Sequence, residues 1–137
     1  MSARQHLAVV VAAIVYFAIG AAWYTILSVP WLAGIGKSMD QLRAEVGPSP
    51  LPYIVGFVAI VVLCYALAWF IGRTHTAGAA AGAKMGFVVG LVVIGGALAL
   101  NYGFEWRPVT LWLINVGYDV IGLLVAGAII GGWNTRA

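Results

Sequence analysis

The sequence predicts an all-α fold: an integral membrane bundle of four transmembrane helices, with a short surface helix between the first two. Three observations carry this. Hydrophobic residues make up 64% of the 137-residue chain and charged residues only 8%, against roughly 25% charged in ordinary soluble domains. The apolar residues fall into four long runs, each long enough to cross a hydrocarbon core of about 30 Å. The polar residues are gathered into the short stretches between those runs. One domain accommodates the whole chain. Four helices are expected, over residues 7–28, 51–72, 79–101 and 109–133.

The first run could be mistaken for a signal peptide, because Arg4 precedes it and Gly20, Ala21 and Ala22 supply small residues. Yet Leu7 to Leu27 is about 21 uncharged residues, beyond the usual signal core of about 7–15, so a first transmembrane helix is expected. Trp23 and Tyr24 near its end suit an interfacial aromatic belt. Pro30 is expected to stop the helix. Residues 31–50 form the most polar segment. Ser38 or Asp40 can cap a short helix there and Gly47-Pro48 can end it; it should lie near the headgroups.

The second run starts at Pro50 and Pro52, in the first turn where proline is tolerated. It contains Cys64, the only cysteine, which excludes an intrachain disulfide and reads as a small buried hydrophobe. The third run carries Gly78, Gly82, Gly86 and Gly90 at every fourth position. That spacing makes one stripe on which another helix backbone can come close; a ligand or ion groove is the other reading. Gly95-Gly96 can loosen or kink its outer part. Asn101 to Arg107 is expected to be a loop. The fourth run repeats the small-residue spacing at Gly127 and Gly131.

An even number of crossings puts both termini on one side. Arg4, Arg73, Lys84 and Arg136 belong to that side; Lys37, Arg43 and Arg107 belong to the other, where Asp40, Glu45 and Glu105 balance them. The positive-inside rule then favours a multi-pass protein of the cell membrane with cytoplasmic termini. Net charge is +3 with no basic run, which argues against nucleic-acid binding.

The distinctive residue is Asp119, about ten residues from either end of the fourth run and so near mid-bilayer. An unpaired ionised carboxylate is very costly there, and intramembrane acids mark functional sites by default. Steps of three and four residues put Trp112, Asn115, Asp119, Gly122 and Ala126 on one face. Tyr16 should lie at a similar depth and Tyr65 somewhat nearer the terminal side. A polar cluster of Asp119, Asn115, Tyr16 and Tyr65 could relay protons or bind a small polar group. It could equally be glue between helices, worth about 0.6 kcal/mol per hydrogen bond. Glu105, Trp106 and Arg107 form an outer rim, read either as a solvated ion pair or as a substrate-recruiting mouth. His6 and His75 lack companions for a metal or haem site, so neither metal nor cofactor is expected. No nucleophile elbow, phosphate loop or zinc-helix motif is present, which leaves an enzyme as the least supported class.

Several short patterns occur in order along the chain: G-x-x-W-Y from Gly20 to Tyr24, P-x-P-Y from Pro50 to Tyr53, F-E-x-R-P from Phe104 to Pro108, and L-I-N-x-G-Y from Leu113 to Tyr118, followed by G-A-I-I-G-x-W. In these the chain resembles the domain of unknown function 1761 family of small membrane proteins. The resemblance implies a four-helix membrane fold and brings no established activity or catalytic residue. Four helices barely enclose a path, so a homo-oligomer in the bilayer, most simply a dimer, is expected. Two functions stand open: transport or permeation of a small solute or proton through Asp119, or a structural protein packing with lipid or partner helices through its glycine faces. They differ in whether a polar cavity reaches Asp119.

Overall fold

The structure, a computed structural model, describes residues 1–134; Arg136, counted above among the terminal charges, lies outside them. Every regular element among the described residues is helical: α1 (Ala3–Ile26), α2 (Ser28–Ile35), α3 (Met39–Val46), α4 (Leu51–Arg73), α5 (Ala79–Val88), a π-helical segment (Val89–Ile94), α6 (Gly95–Phe104) and α7 (Val109–Asn134). Four helical stretches are long and apolar enough to cross a membrane: α1, α4, the continuous Ala79–Phe104 stretch, and α7. The protein is a multi-pass membrane bundle, with α3 as the surface helix between its first two spans.

Local chemistry sets the ends. Ser2 and Gln5 form a reciprocal capping box that starts α1, and Ser38 and Gln41 form a second that starts α3. Pro30 does not stop the first helix. α1 ends earlier, at Leu27, whose backbone leaves helical geometry (φ −100, ψ 20). Pro30 sits in the first turn of α2, where its missing N–H has no helical partner to lose. α2 then folds back on α7, Gly34 against Leu111. Asn101 to Phe104 is helical rather than loop. That helix closes with Arg107 N–H donating to the Tyr102 carbonyl (3.0 Å) and Trp106 at φ 55, a left-handed cap usually taken by glycine.

α7 lies at the centre and packs on every other span. Its contact with α5 is backbone to backbone. A Cβ built on Gly82 would collide with the Gly127 carbonyl oxygen, and one on Gly127 with the Gly82 carbonyl oxygen. Gly86 backs in the same way onto the Leu123 carbonyl, and at Gly90 an added Cβ would stand 2.9 Å from the Val120 Cα. Gly78 N–H donates directly to the Gly131 carbonyl (3.0 Å). On its other side α7 meets α1 and α4 through a core of Val9, Ala12, Tyr16, Cys64, Leu67 and Leu123, all essentially inaccessible. Cys64 is buried and free.

From Val89 the third span widens into the π segment, with Gly95 N–H reaching back to the Gly90 carbonyl. Such a turn re-aims a helix. Just past it, the Trp112 indole donates to the Gly95 carbonyl (2.9 Å), so Trp112 faces α6.

Gly82→Ala and Gly127→Ala should each cost about 1–3 kcal/mol, because the added methyl forces two backbones apart. The pair combined should cost less than the sum. Gly96→Ala, where an added Cβ meets nothing within 4 Å, should leave stability unchanged or improve it. Unfolding followed in detergent checks all four proteins.

Candidate functional site

The site is built where α1 and α7 cross. On α7 the run Ile114, Asn115, Gly117, Tyr118, Asp119 turns about one and a half helical turns toward α1. On α1 the run Gly20, Trp23, Tyr24 faces back, with Tyr16 one turn deeper. The two sets mesh. The Tyr16 hydroxyl donates to Asp119 Oδ1 at 2.6 Å. The Tyr118 hydroxyl donates to the Tyr16 carbonyl at 3.0 Å and lies against Gly20, where an added Cβ would come within 2.6 Å of it. The Trp23 indole donates to the Ile114 carbonyl at 2.9 Å, its ring resting on Gly117. The Tyr24 hydroxyl donates to Asn115 Oδ1 at 2.8 Å.

Asn115 is used from both ends. Its Nδ2 donates to the Tyr102 hydroxyl at 2.9 Å, which ties α1, α7 and α6 through one amide. Arg107 stacks over the Tyr102 ring, 5.4 Å from its centroid, and pairs with Glu105. The outer rim is thus joined to the interior through Tyr102. The hydrogen bond to Glu105 raises the pKa of Arg107 further above its ordinary value. Both partners are solvated, so the pair adds little stability. Trp106 is 94% exposed and points away.

Of the residues singled out from sequence, Asp119, Asn115 and Tyr16 come together here. Tyr65 does not join them: its hydroxyl lies 2.9 Å from His6 Nδ1, at the terminal end of the bundle. Trp23 and Tyr24, expected at an interfacial belt, turn inward and anchor α1 on α7. Tyr118 and Tyr102 were missed. Tyr118 adjoins Asp119 in sequence, but a helix sends neighbouring side chains about 100° apart. Gly122 lies under the Tyr16 ring, where an added Cβ would come within 2.5 Å, so the Asp119–Gly122 face does point at α1.

Asp119 is half-buried. A groove of about 590 Å³ opens between α1 and α4, with Tyr118 and Asp119 of α7 at its base. It runs from Thr25 and Tyr53, at the loop end of the bundle, to Tyr16 and Ile60 at mid-span. Gly20, Ala21, Gly56 and Ala59 hollow out its walls. The Tyr16 bond occupies Oδ1; among the described residues no donor reaches Oδ2, and no wholly buried side-chain oxygen lacks a partner. Oδ2 therefore opens to the groove. Toward the termini the path is closed by Val9, Ala12, Ala13, Leu67 and Ile71. A smaller cavity of about 170 Å³ near Gln5 and Arg73 does not reach the polar cluster.

The patterns that mesh here, G-x-x-W-Y on α1 and L-I-N-x-G-Y on α7, are those in which the resemblance was seen. A family model described as "Protein of unknown function (DUF1761)" matches residues 7–131. The chain belongs to this family. No curated protein and no solved structure matches it. Three of these sequence patterns meet at one place: P-x-P-Y contributes Tyr53 to the groove whose base the other two build.

Asn115→Ala removes two interhelical hydrogen bonds and should cost about 1 kcal/mol, at roughly 0.6 kcal/mol each. Gly20→Ala should cost more than Gly56→Ala, since only the former displaces a tyrosine. Thermal unfolding of the detergent-solubilised variants tests both orders.

Proposed function

We propose that the protein moves a small solute or a proton across the membrane, with Asp119 as the group that binds or titrates. The observation that carries this reading is the groove, which joins the loop end of the bundle to a carboxyl at mid-span. An acid kept only for packing gains nothing from an oxygen left facing a cavity, since an unsatisfied polar atom is costly in hydrocarbon. Tyr16, wholly buried, fixes the carboxyl through Oδ1 and leaves Oδ2 for the cargo. The closed packing of α1 on α4 toward the termini makes this a one-sided state, and transport requires that half to open while the other closes.

In this reading the termini lie on the cytoplasmic side of the cell membrane, supported by the modest Lys/Arg bias of the loops. The third span is the least buried of the four, which supports its use as a contact face in a homo-oligomer. The competing function, a structural protein binding lipid or partner helices, is favoured by one observation: Tyr16 already satisfies one Asp119 oxygen, as interhelical glue would.

Reconstituted vesicles carrying an internal pH dye separate the two. A potassium diffusion potential should drive proton entry through the wild type, and Asp119→Asn should slow it by about tenfold or more. Equal rates in the two proteins, both without and with an imposed gradient of a solute, would sink the transport reading and leave the structural one.

A further inference from the structure

We propose that the cargo of this groove is a monovalent organic cation with an apolar body, of the alkylammonium or arylphosphonium class. The proposal rests on the transport reading of the same groove and narrows it to a substrate class. Charge comes first. Asp119 is the one carboxyl lining the groove, and no Lys, Arg or His lines it. An anion would meet an acid with no compensating base. A neutral polar solute would leave the apolar walls unused.

A metal ion is the wrong cation. No group of three His, Cys, Asp or Glu able to hold one occurs among the described residues, and one carboxylate cannot replace a metal's hydration shell. The size is also wrong for a bare ion. A groove of about 590 Å³ lies in the range of sites for drug-sized molecules, about 300–1,000 Å³. Its space comes from Gly20, Ala21, Gly56 and Ala59; at Gly56 an added Cβ would meet nothing within 4 Å.

The aromatic wall supplies the second element of recognition. Tyr24 and Tyr118 line it and meet edge to face at 5.4 Å, with the inaccessible Tyr16 ring backing Tyr118 at 5.1 Å. Phe17 stands beside them against Phe57. Aromatic rings attract a weakly hydrated cation through their quadrupoles, most strongly where water is excluded. Strongly hydrated ions gain little from such a wall. A carboxylate beneath tyrosine rings and apolar sides therefore selects charge and lipophilicity together.

The groups that titrate around the groove are Asp119 itself, Tyr16 and Tyr24 from α1, Tyr53 from α4 and Tyr118 from α7, with Cys64 buried below. α5 and the π segment present only Gly90 to the Asp119 backbone. One carboxylate thus serves two competitors, the proton and the organic cation. Binding of the cation displaces the proton from Asp119 into water, and protonation releases the cation.

Equilibrium dialysis of radiolabelled tetraphenylphosphonium against the full chain in detergent tests this. Saturable binding is expected, weakening as pH falls, and Asp119→Asn should lower affinity at least about tenfold. Gly56→Leu, which fills the groove at a position without neighbours, should weaken binding to a similar degree even if Asp119→Asn fails to fold. Tetraphenylborate, the same shape with opposite charge, should show no binding that depends on Asp119. Equal tetraphenylphosphonium binding by wild type and both variants overturns the proposal. Absent binding with Asp119-dependent proton flux intact overturns it while leaving the transport reading standing. Asp119-dependent binding without any flux sustains the cation site and overturns transport.

Discussion

Lipid chains offer no hydrogen bonds, so a polar atom that α7 turns inward must be met by another helix or open to a groove. Most of the architecture follows from that constraint. Asp119 requires Tyr16, Asn115 requires Tyr24 and Tyr102, and the indoles of Trp23 and Trp112 need the Ile114 and Gly95 carbonyls. Each bond is worth little, about 0.6 kcal/mol in membrane proteins. Their effect is positional. A one-residue rotation of α1 would break three of them together, so they set the register of α1 on α7 far more than they set the net stability.

The two faces of α7 solve packing differently. Toward α5 it has no side chains to interpose, and the backbones touch through Gly78, Gly82, Gly86, Gly127 and Gly131. Toward α1 and α4 the terminal half is filled by Val9, Ala12, Leu67, Leu123 and Ile130. In the loop half Tyr16, Tyr24 and Tyr118 stand on α1 and α7, while α4 places the small residues Gly56 and Ala59 between Tyr53 and Ile60 on the facing wall. The small residues in the middle of that wall leave a groove there.

The four spans were legible because a run of twenty apolar residues has few other uses. Asp119, Asn115 and Tyr16 were legible because depth along a helix can be counted and a carboxyl at mid-depth stands out. The inward hydrogen bonds of Tyr24 and Trp23 were not legible for a physical reason: an aromatic near a helix end suits an interfacial belt, and whether it also bonds inward depends on what the facing helix presents. Tyr65 shows the converse. Its depth left it a possible neighbour of Asp119, but its azimuth on α4 turns it to His6. α2 was hidden by Pro30, which can end one helix or begin another.

Composition and periodicity therefore carry which segments enter the membrane, in what order, and how deep each polar residue lies, because these depend on length and hydrophobicity along one chain. Rotation about each helix axis is another matter. It decides that Tyr24 and Tyr118 join Asp119, that Tyr65 leaves it, that the third span opens into a π turn beside Gly90, and that a groove reaches Oδ2. Rotation is set by contacts between residues such as Tyr16 and Asp119 that lie 103 positions apart. No local pattern encodes such a contact, because its energy exists only once both helices are in place.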